Sequence, residues 1–341
     1  MFTKLYERLY VKVLVSIITG YKKTTVYIEI LNKSGILNSY EEEFDTKYVS
    51  IEMYEYIMSY TKETPYFYIS ILDSSPSQGA IGTCSKHKVG YFEDLSASEY
   101  KCYKDRWTYY TAKTDVYAIE KVYEKIGVDF IFSPFVLLAN FFKDKIDTHL
   151  AMFILIQEGS LALSVFNKSE LLYANYLDME IEIASDELLI DDNDIAQIEK
   201  EMQESIDLDD IASLDDLDEI DDNFGDIADL DSIDELDDFD EAKDIEEELA
   251  ENEDMQDYST RNTESINEDY KRFSLIQSAV NIFYKDEKFE SEFIENVYIG
   301  DGVGVSGDLK KYLEEEMFLN VYVRHVDLAS ELCAITKMDL A

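Results

Sequence analysis

The stretch Asn296–Val323, NVYIGDGVGVSGDLKKYLEEEMFLNVYV, places four glycines in an eight-residue turn between an apolar run and a helical segment. A strand, a glycine-rich turn and a helix often present backbone N–H groups to a phosphate or a ribose. Tight packing between a strand and the following helix requires glycine just as often. The stretch therefore indicates either a nucleotide-binding turn or a close structural connection, and the rest of the chain decides between them.

The alternation of strands and helices continues outward from this stretch. Near the N-terminus, three β-branched or alternating runs predict a three-stranded meander, which an amphipathic helix and a further strand follow. A second meander begins after His149, and its own helices and strands lie from Tyr270 onward. Because the order repeats, the sequence predicts an α/β protein with mixed sheets in two related halves.

One very acidic stretch interrupts the second half. Residues 186–257 hold 34 Asp and Glu residues against two Lys, a net −32 of the −45 carried by the whole chain. This composition opposes a packed core, so we expect a disordered, low-complexity insertion there, with a segment that folds on a partner as the alternative. The predicted domains are a first lobe at 1–147, which includes a small appended subdomain at about 73–115, and a second lobe at 148–185 and 260–341.

Charge and cysteine content argue against several classes of function. No basic face is evident that could release counterions from phosphates, so nucleic-acid binding is not expected. Cys84, Cys102 and Cys333 are far apart and form no CxxC pair, which predicts neither a zinc site nor a disulfide framework. No apolar run reaches the roughly 18 residues of a membrane span. We therefore expect no metal site and a protein of the reducing cytoplasm.

The quoted stretch and the two-halved order together resemble the actin-like ATPase superfamily, and more narrowly the PilM and GspL proteins of type IV pilus and type II secretion machines. The last motif of that group reads like V-Y-L-S-G-G-x-A-x-x-x-G-L. Six residues fall at or next to matching places: Val297, Tyr298, Ile299, Gly302, Gly304 and Leu309. The likeness covers Met1–Ile183 and roughly Tyr270–Ala341. It implies an actin-like two-lobed fold with mixed sheets, in a cytoplasmic protein held peripherally at the inner membrane through partners.

The chain departs from actin-like ATPases at the positions that carry their chemistry. Each hairpin of that family holds an aspartate, the first for the magnesium-bound phosphates and the second for the attacking water. Ile18 or Thr19 stands at the first place and Leu155 at the second. Without those carboxylates nothing holds Mg²⁺ or orients water, and Asp301 interrupts the glycine pair of the third motif. We therefore expect no catalytic residue.

The resemblance still implies a vestigial nucleotide site, and its predicted residues are Gly20, Lys22, Lys23, Gly302 and Gly304. The two lysines are the residues that could replace lost phosphate contacts. We expect no resident cofactor and no hydrolysis at this site, and weak ATP binding stays open.

A partner-binding surface is predicted in the appended subdomain, where aromatic residues and positive charge occur together. Aromatic side chains and Arg are common interface anchors. The predicted contact residues are Tyr103, Arg106, Trp107, Tyr109 and Tyr110. Packing of a small subdomain core is the alternative explanation for these aromatics. The resemblance implies a PilN-like single-span inner-membrane protein as the partner and, second, the assembly ATPase of the machine.

The sequence thus favours a non-catalytic scaffold or adaptor in an inner-membrane assembly platform for type IV pili, type II secretion or DNA uptake. Two alternatives belong to other classes of protein. One is an actin-like ATPase that forms filaments, which would need aspartates in both hairpins. The other is an acidic decoy or chaperone that binds a basic protein through residues 186–257.

Overall fold

The computed structural model describes residues 10–20, 22–62, 64–179, 268–289, 292–305 and 307–340. The acidic insertion predicted at 186–257 lies outside these ranges. In chain order the elements are β1 (Lys12–Thr19), β2 (Thr24–Asn32), β3 (Gly35–Phe44), α1 (Ile51–Thr61), β4 (Phe67–Leu72), β5 (Gln78–Ile81), α2 (Lys86–Phe92), β6 (Ser98–Tyr103), β7 (Trp107–Ala112), α3 (Lys113–Val122), β8 (Phe130–Phe132), α4 (Pro134–Phe141), α5 (Lys143–Ile146), β9 (Ala151–Gln157), β10 (Ser160–Asn167), β11 (Glu170–Asp178), α6 (268–285), β12 (Asn296–Asp301), α7 (Gly307–Glu315), β13 (Asn320–His325) and α8 (Leu328–Leu340).

The two main sheets have the same strand order and the same strand directions. The first runs β3-β2-β1-β4-β8 and the second runs β11-β10-β9-β12-β13. In each sheet the three meander strands are antiparallel, and the last two strands run parallel to the first strand of the meander. This duplicated order is the actin-like two-lobed α/β fold that the sequence predicts.

Local sequence explains the elements at the centre of each half. All seven residues of β9, AMFILIQ, are buried, as expected for a central strand covered on both faces. Helix α4 starts at Pro134, and the hydroxyl of Ser133 accepts a hydrogen bond from the backbone N–H of Phe135. Proline suits the first turn of a helix because its missing N–H would have no intrahelical partner there.

The helix that follows each sheet packs against the other sheet. Helix α4 contacts β9 and β10, while α8 contacts β1, β2 and β4. Lys337 on α8 donates to Glu29 Oε2 of β2 at 2.6 Å, and Glu29 is buried. The C-terminal helix, which the sequence assigned to the second lobe, thus completes the core of the first, and both halves share one hydrophobic cluster.

The appended subdomain is a three-stranded sheet of order β5-β7-β6. It contains a disulfide between Cys84 and Cys102, so the expectation of no disulfide was wrong, and the cysteines no longer argue for a reducing compartment. Ile81 and Cys102 pair with Thr108 of the central strand from opposite sides, and the three residues that follow β5 bring Cys84 to a Cα–Cα distance of 5.5 Å from Cys102. Spacing along the sequence cannot reveal this approach, because the sheet order places β7 between the two cysteine-bearing segments.

Candidate functional site

The ends of the two meanders meet at a cleft between the lobes. The turn after β1, the turn after β9, the glycine turn after β12 and the start of α8 enclose about 570 Å³. Of the predicted vestigial site, Gly20, Lys23 and Gly302 line this cleft. Lys22 is exposed, and both Lys22 and Gly304 lie outside the lining. Three of the five predicted residues are therefore brought together.

The anion-binding groups of the glycine turn are occupied by the chain itself. Asp301 Oδ1 accepts backbone hydrogen bonds from Val303 at 3.0 Å and Gly304 at 2.8 Å, and its Oδ2 accepts one from Val305 at 3.0 Å. Successive N–H groups in such a turn form a concavity that suits a phosphate or carboxylate oxygen. Here the buried carboxylate of Asp301 fills it, so no donor of this set is left for a phosphate.

Gly302 is required by close packing. A Cβ at this position would lie 2.8 Å from the carbonyl oxygen of Ile156 and 2.8 Å from Leu328 Cδ1. Its N–H donates to the Ile156 carbonyl at 3.1 Å. The turn therefore makes a close connection between β12 and β9, as the structural alternative for the opening stretch requires.

The helix that follows the turn also has an internal anion at its N-terminus. Asp269 of α6 is fully buried, and its Oδ2 accepts the backbone N–H of Leu309 at 3.2 Å. Its Oδ1 accepts from Arg272 at 2.8 Å. A carboxylate near the first turn of a helix satisfies free N–H groups and the helix dipole. Aspartates of this chain thus accept N–H groups at both places, Asp301 at the glycine turn and Asp269 at Leu309 in the first turn of the helix.

The two hairpin turns hold other side chains at the places where the sequence analysis looked for aspartates. Ile18 and Thr19 line the cleft, and the Thr19 hydroxyl lies 2.9 Å from the Tyr123 hydroxyl. Leu155 does not line the cleft, because it is buried in the core shared by the two sheets. The second hairpin instead presents Gln157 and Glu158. These two residues follow Leu155 by two and three positions, because the cleft begins only at the end of β9.

Glu158 closes the space between the two hairpin turns. A Cβ added to Gly20 would overlap Glu158 Oε2, so this carboxylate lies directly against the first turn. The Gly20 N–H donates to the Lys23 carbonyl at 2.8 Å and is also satisfied internally. Among the described residues, no group of three or more His, Cys, Asp or Glu side chains is arranged to hold a metal ion.

The structure separates the five predicted partner contacts into core and surface residues. Trp107 is only 3 % exposed and packs on Tyr103 and Phe166, so its assignment as an accessible anchor is corrected to a core residue. Tyr109 and Tyr110 are half-buried, and burial raises the pKa of both phenols to about 12. Because successive residues of a strand face opposite sides, Tyr109 packs on the cluster shared by the two main sheets, whereas Tyr110 packs on the small cluster of Ile81, Val89 and Leu95.

Arg106 leads to a surface that the sequence did not single out. It lines a groove of about 730 Å³ together with Lys88, Lys168 and Lys288. Two carboxylates, Asp105 and Glu170, also line the groove, so its four cationic side chains leave a net positive charge. Phe92 and Phe289 also line the groove, and their rings stack with centroids 6.5 Å apart. We call this surface the basic groove. It joins the appended subdomain to the second lobe, which are distant in sequence.

Two models of protein families match the sequence of this chain. The model of a family described as a domain of unknown function (DUF8341) matches residues 152–341, more than half of the chain. The chain belongs to this family. A second model, also described as a domain of unknown function (DUF8569), matches residues 10–139. The two matches fall on the second and first sheets respectively. A search of curated proteins finds no match.

Solved structures resemble the chain at low sequence identity. The PilM–PilN type IV pilus biogenesis complex matches with 10 % identity and a TM-score of 0.48, covering 93 % of this chain and 89 % of that one. A Bacteroides thetaiotaomicron protein with an actin-like ATPase fold matches with 11 % identity and a TM-score of 0.44, covering 95 % and 96 %. MreB 5 of Spiroplasma citri bound to AMPPNP matches with 9 % identity and a TM-score of 0.38, covering 96 % and 97 %. The fold assignment accordingly rests on the duplicated strand order.

No helix within the described ranges is long and apolar enough to cross a membrane.

Proposed function

We propose that this protein is a non-catalytic scaffold on the cytoplasmic side of an inner-membrane assembly platform of the type IV pilus, type II secretion or DNA-uptake kind. One observation carries the non-catalytic part of the proposal. Asp301 and Asp269 occupy the glycine turn and the helix N-terminus, where a nucleotide phosphate would bind in an actin-like ATPase. In this proposal the actin-like fold serves to present surfaces that bind partners, and not to hydrolyse a nucleotide.

Nucleotide turnover should be absent. A phosphate brought to the cleft would meet no free donor on the glycine turn, and it would approach the carboxylates of Asp301 and Glu158. Calorimetry with ATP and Mg²⁺ should show at most weak binding, and phosphate release should equal the buffer background. If the purified chain hydrolyses ATP and the Glu158→Gln variant does not, the proposal is contradicted. The alternative of a filament-forming ATPase would then be favoured.

The basic groove supports the scaffold part of the proposal. Four cationic side chains surround a stacked pair of phenylalanines, so the groove suits a peptide that combines acidic and apolar residues. Charge of one sign speeds encounter with a partner, while apolar anchors hold it. We propose that the groove receives the short cytoplasmic tail of a PilN-like single-span membrane protein, which would place this chain peripherally at the inner membrane. The assembly ATPase of the machine is proposed as a second partner.

Charge reversal in the basic groove should weaken tail binding. A pull-down from membranes should recover a single-span protein, and its tail, synthesised as a peptide, should bind the full chain in a salt-dependent manner. In the double variant Lys88→Glu and Lys288→Glu, we expect the dissociation constant to rise about tenfold or more. The matched control is Lys125→Glu, which changes an exposed lysine outside the groove lining and should leave the constant unchanged.

Equal affinity of the groove variant and the control would contradict this assignment. Complete loss of binding on deletion of residues 186–257, with the groove variant unaffected, would favour the acidic decoy instead.

A further inference from the structure

The cleft between the lobes carries an excess of negative charge. Its lining includes four carboxylates, those of Glu41, Glu43, Glu158 and Asp327. Among the described lining residues, Lys23 is the one lysine or arginine. Glu41 and Glu43 lie on the same face of β3, two residues apart, whereas Glu42 points to the opposite face. The cleft is therefore a poor site for an anion and an attractive one for a cation.

Lys23 offsets only one of these four charges, because it is paired with Glu43. Its Nζ lies 3.0 Å from Glu43 Oε2, and this hydrogen bond is the main cause of the raised pKa of Lys23. The pKa of Glu41 is raised first by burial and then by the charges of Asp327 and Glu43. Like charges therefore face one another across the cleft, and a bound cation would reduce their repulsion.

A second observation, independent of the carboxylates, points to a ligand. Gln157 lines the same cleft and is 6 % exposed, and its side-chain Nε2 has no hydrogen-bond partner among the described residues. Buried side-chain donors in folded proteins are nearly always paired. An N–H donor calls for an acceptor, such as a carbonyl or hydroxyl oxygen. The ligand should therefore present an acceptor close to its positive charge.

The remaining wall of the cleft is mixed: Thr19, Thr25 and His325 are polar, and beside them lies an apolar patch. Ile18, Val326, Leu328 and Ala329 contribute it, and they suit the methylene groups of a flexible chain. Carboxylates recognise guanidinium groups especially well, because two parallel N–H···O bonds form at once. The combination of apolar patch, carboxylates and an amide donor matches an arginine-like chain better than a metal ion or a phosphate.

We propose that the interlobe cleft binds a guanidinium or ammonium group carried on a short alkyl chain next to a carbonyl acceptor. The source is either a small arginine-like molecule or an arginine or lysine side chain of a peptide. This site is separate from the basic groove, and the proposal goes beyond the scaffold role.

The proposal is tested by isothermal titration calorimetry, in which the full chain is titrated with N-acetyl-arginine amide and, separately, with acetyl-Gly-Arg-Gly amide. We expect one saturable site, with a dissociation constant that rises about tenfold or more in the double variant Glu41→Gln and Glu158→Gln. The matched control is Glu42→Gln, which lies between Glu41 and Glu43 on the opposite face of β3. Every variant keeps the acidic residues 186–257, so a difference between variants reports on the cleft.

The variant Gln157→Leu tests the acceptor. It should weaken binding of N-acetyl-arginine amide and leave binding of methylguanidinium, which has no carbonyl, unchanged. Equal affinity for the amide and the peptide indicates a small-molecule source, and clearly tighter binding of the peptide indicates a protein source; both support the site. No saturation by either probe at about 10 mM, or equal losses in Glu42→Gln and in the double variant, would overturn it.

Discussion

Replacing Asp269 with alanine should lower the free energy of unfolding by about 3–5 kcal/mol, because it leaves a buried cation without its main partner. Asp269 is fully buried and accepts from Arg272 at 2.8 Å and from the Leu309 N–H at 3.2 Å. The substitution removes the acceptor of both groups. Glu268 still accepts from Arg272 at 2.8 Å, which favours the lower end of the range. Urea denaturation followed by circular dichroism measures the loss.

A double variant separates the ion pair from the shape of the site. Replacing Asp269 with Leu and Arg272 with Met removes both charges together, and apolar replacement of a buried pair is often neutral. We expect this variant to recover most of the stability lost in Asp269→Ala. An Asp269→Ala protein that unfolds at the same urea concentration as the parent would show that the pair contributes nothing.

Replacing Asp301 with alanine should lower the free energy of unfolding by about 2–3 kcal/mol. Hydrogen bonds to a charged group contribute about 1.5–3 kcal/mol each, and Asp301 accepts three of them from the glycine turn. Val303 and Gly304 are exposed, so water replaces part of what the carboxylate supplied. The midpoint of urea unfolding measures the effect.

The same variant tests whether Asp301 stands in for a bound anion. With the carboxylate removed, the N–H groups of the turn become available, and added sulfate should recover part of the lost stability. The matched control is Asp308→Ala, which removes a nearby aspartate paired with the exposed Lys311 and should cost less than about 1 kcal/mol. Equal stabilisation of the parent and Asp301→Ala by sulfate would contradict this interpretation.

Much of the fold could be predicted because it depends on local pattern. Alternating runs over the two meanders identify their strands, and Pro134 marks the start of α4 as expected. A period of two residues specifies which face of a strand is buried, and the repeat of strands, helix and strand specifies the two halves. The glycine turn after β12 was also located correctly, together with the possibility that it is a tight connection.

The candidate sites were predicted only in part, because each depends on which distant segments meet. Lys22 and Lys23 are adjacent in sequence, yet only Lys23 lines the cleft. Trp107 reads as an interface anchor until the second sheet brings Phe166 against its ring. Gln157 attracts no attention in the sequence, since a single glutamine at the end of a strand is common in surface turns.

The sequence by itself determined the actin-like order of strands and helices and the absence of aspartates at the expected hairpin positions. Only the tertiary structure decided that Asp301 and Asp269 occupy the anion-binding positions, that Cys84 and Cys102 pair, and that four distant cations form one groove. The physical reason is the range of the interactions. Hydrophobic periodicity acts over a few residues and is visible in the chain, whereas hydrogen bonds, disulfides and charged surfaces depend on contacts that form only when the two sheets pack.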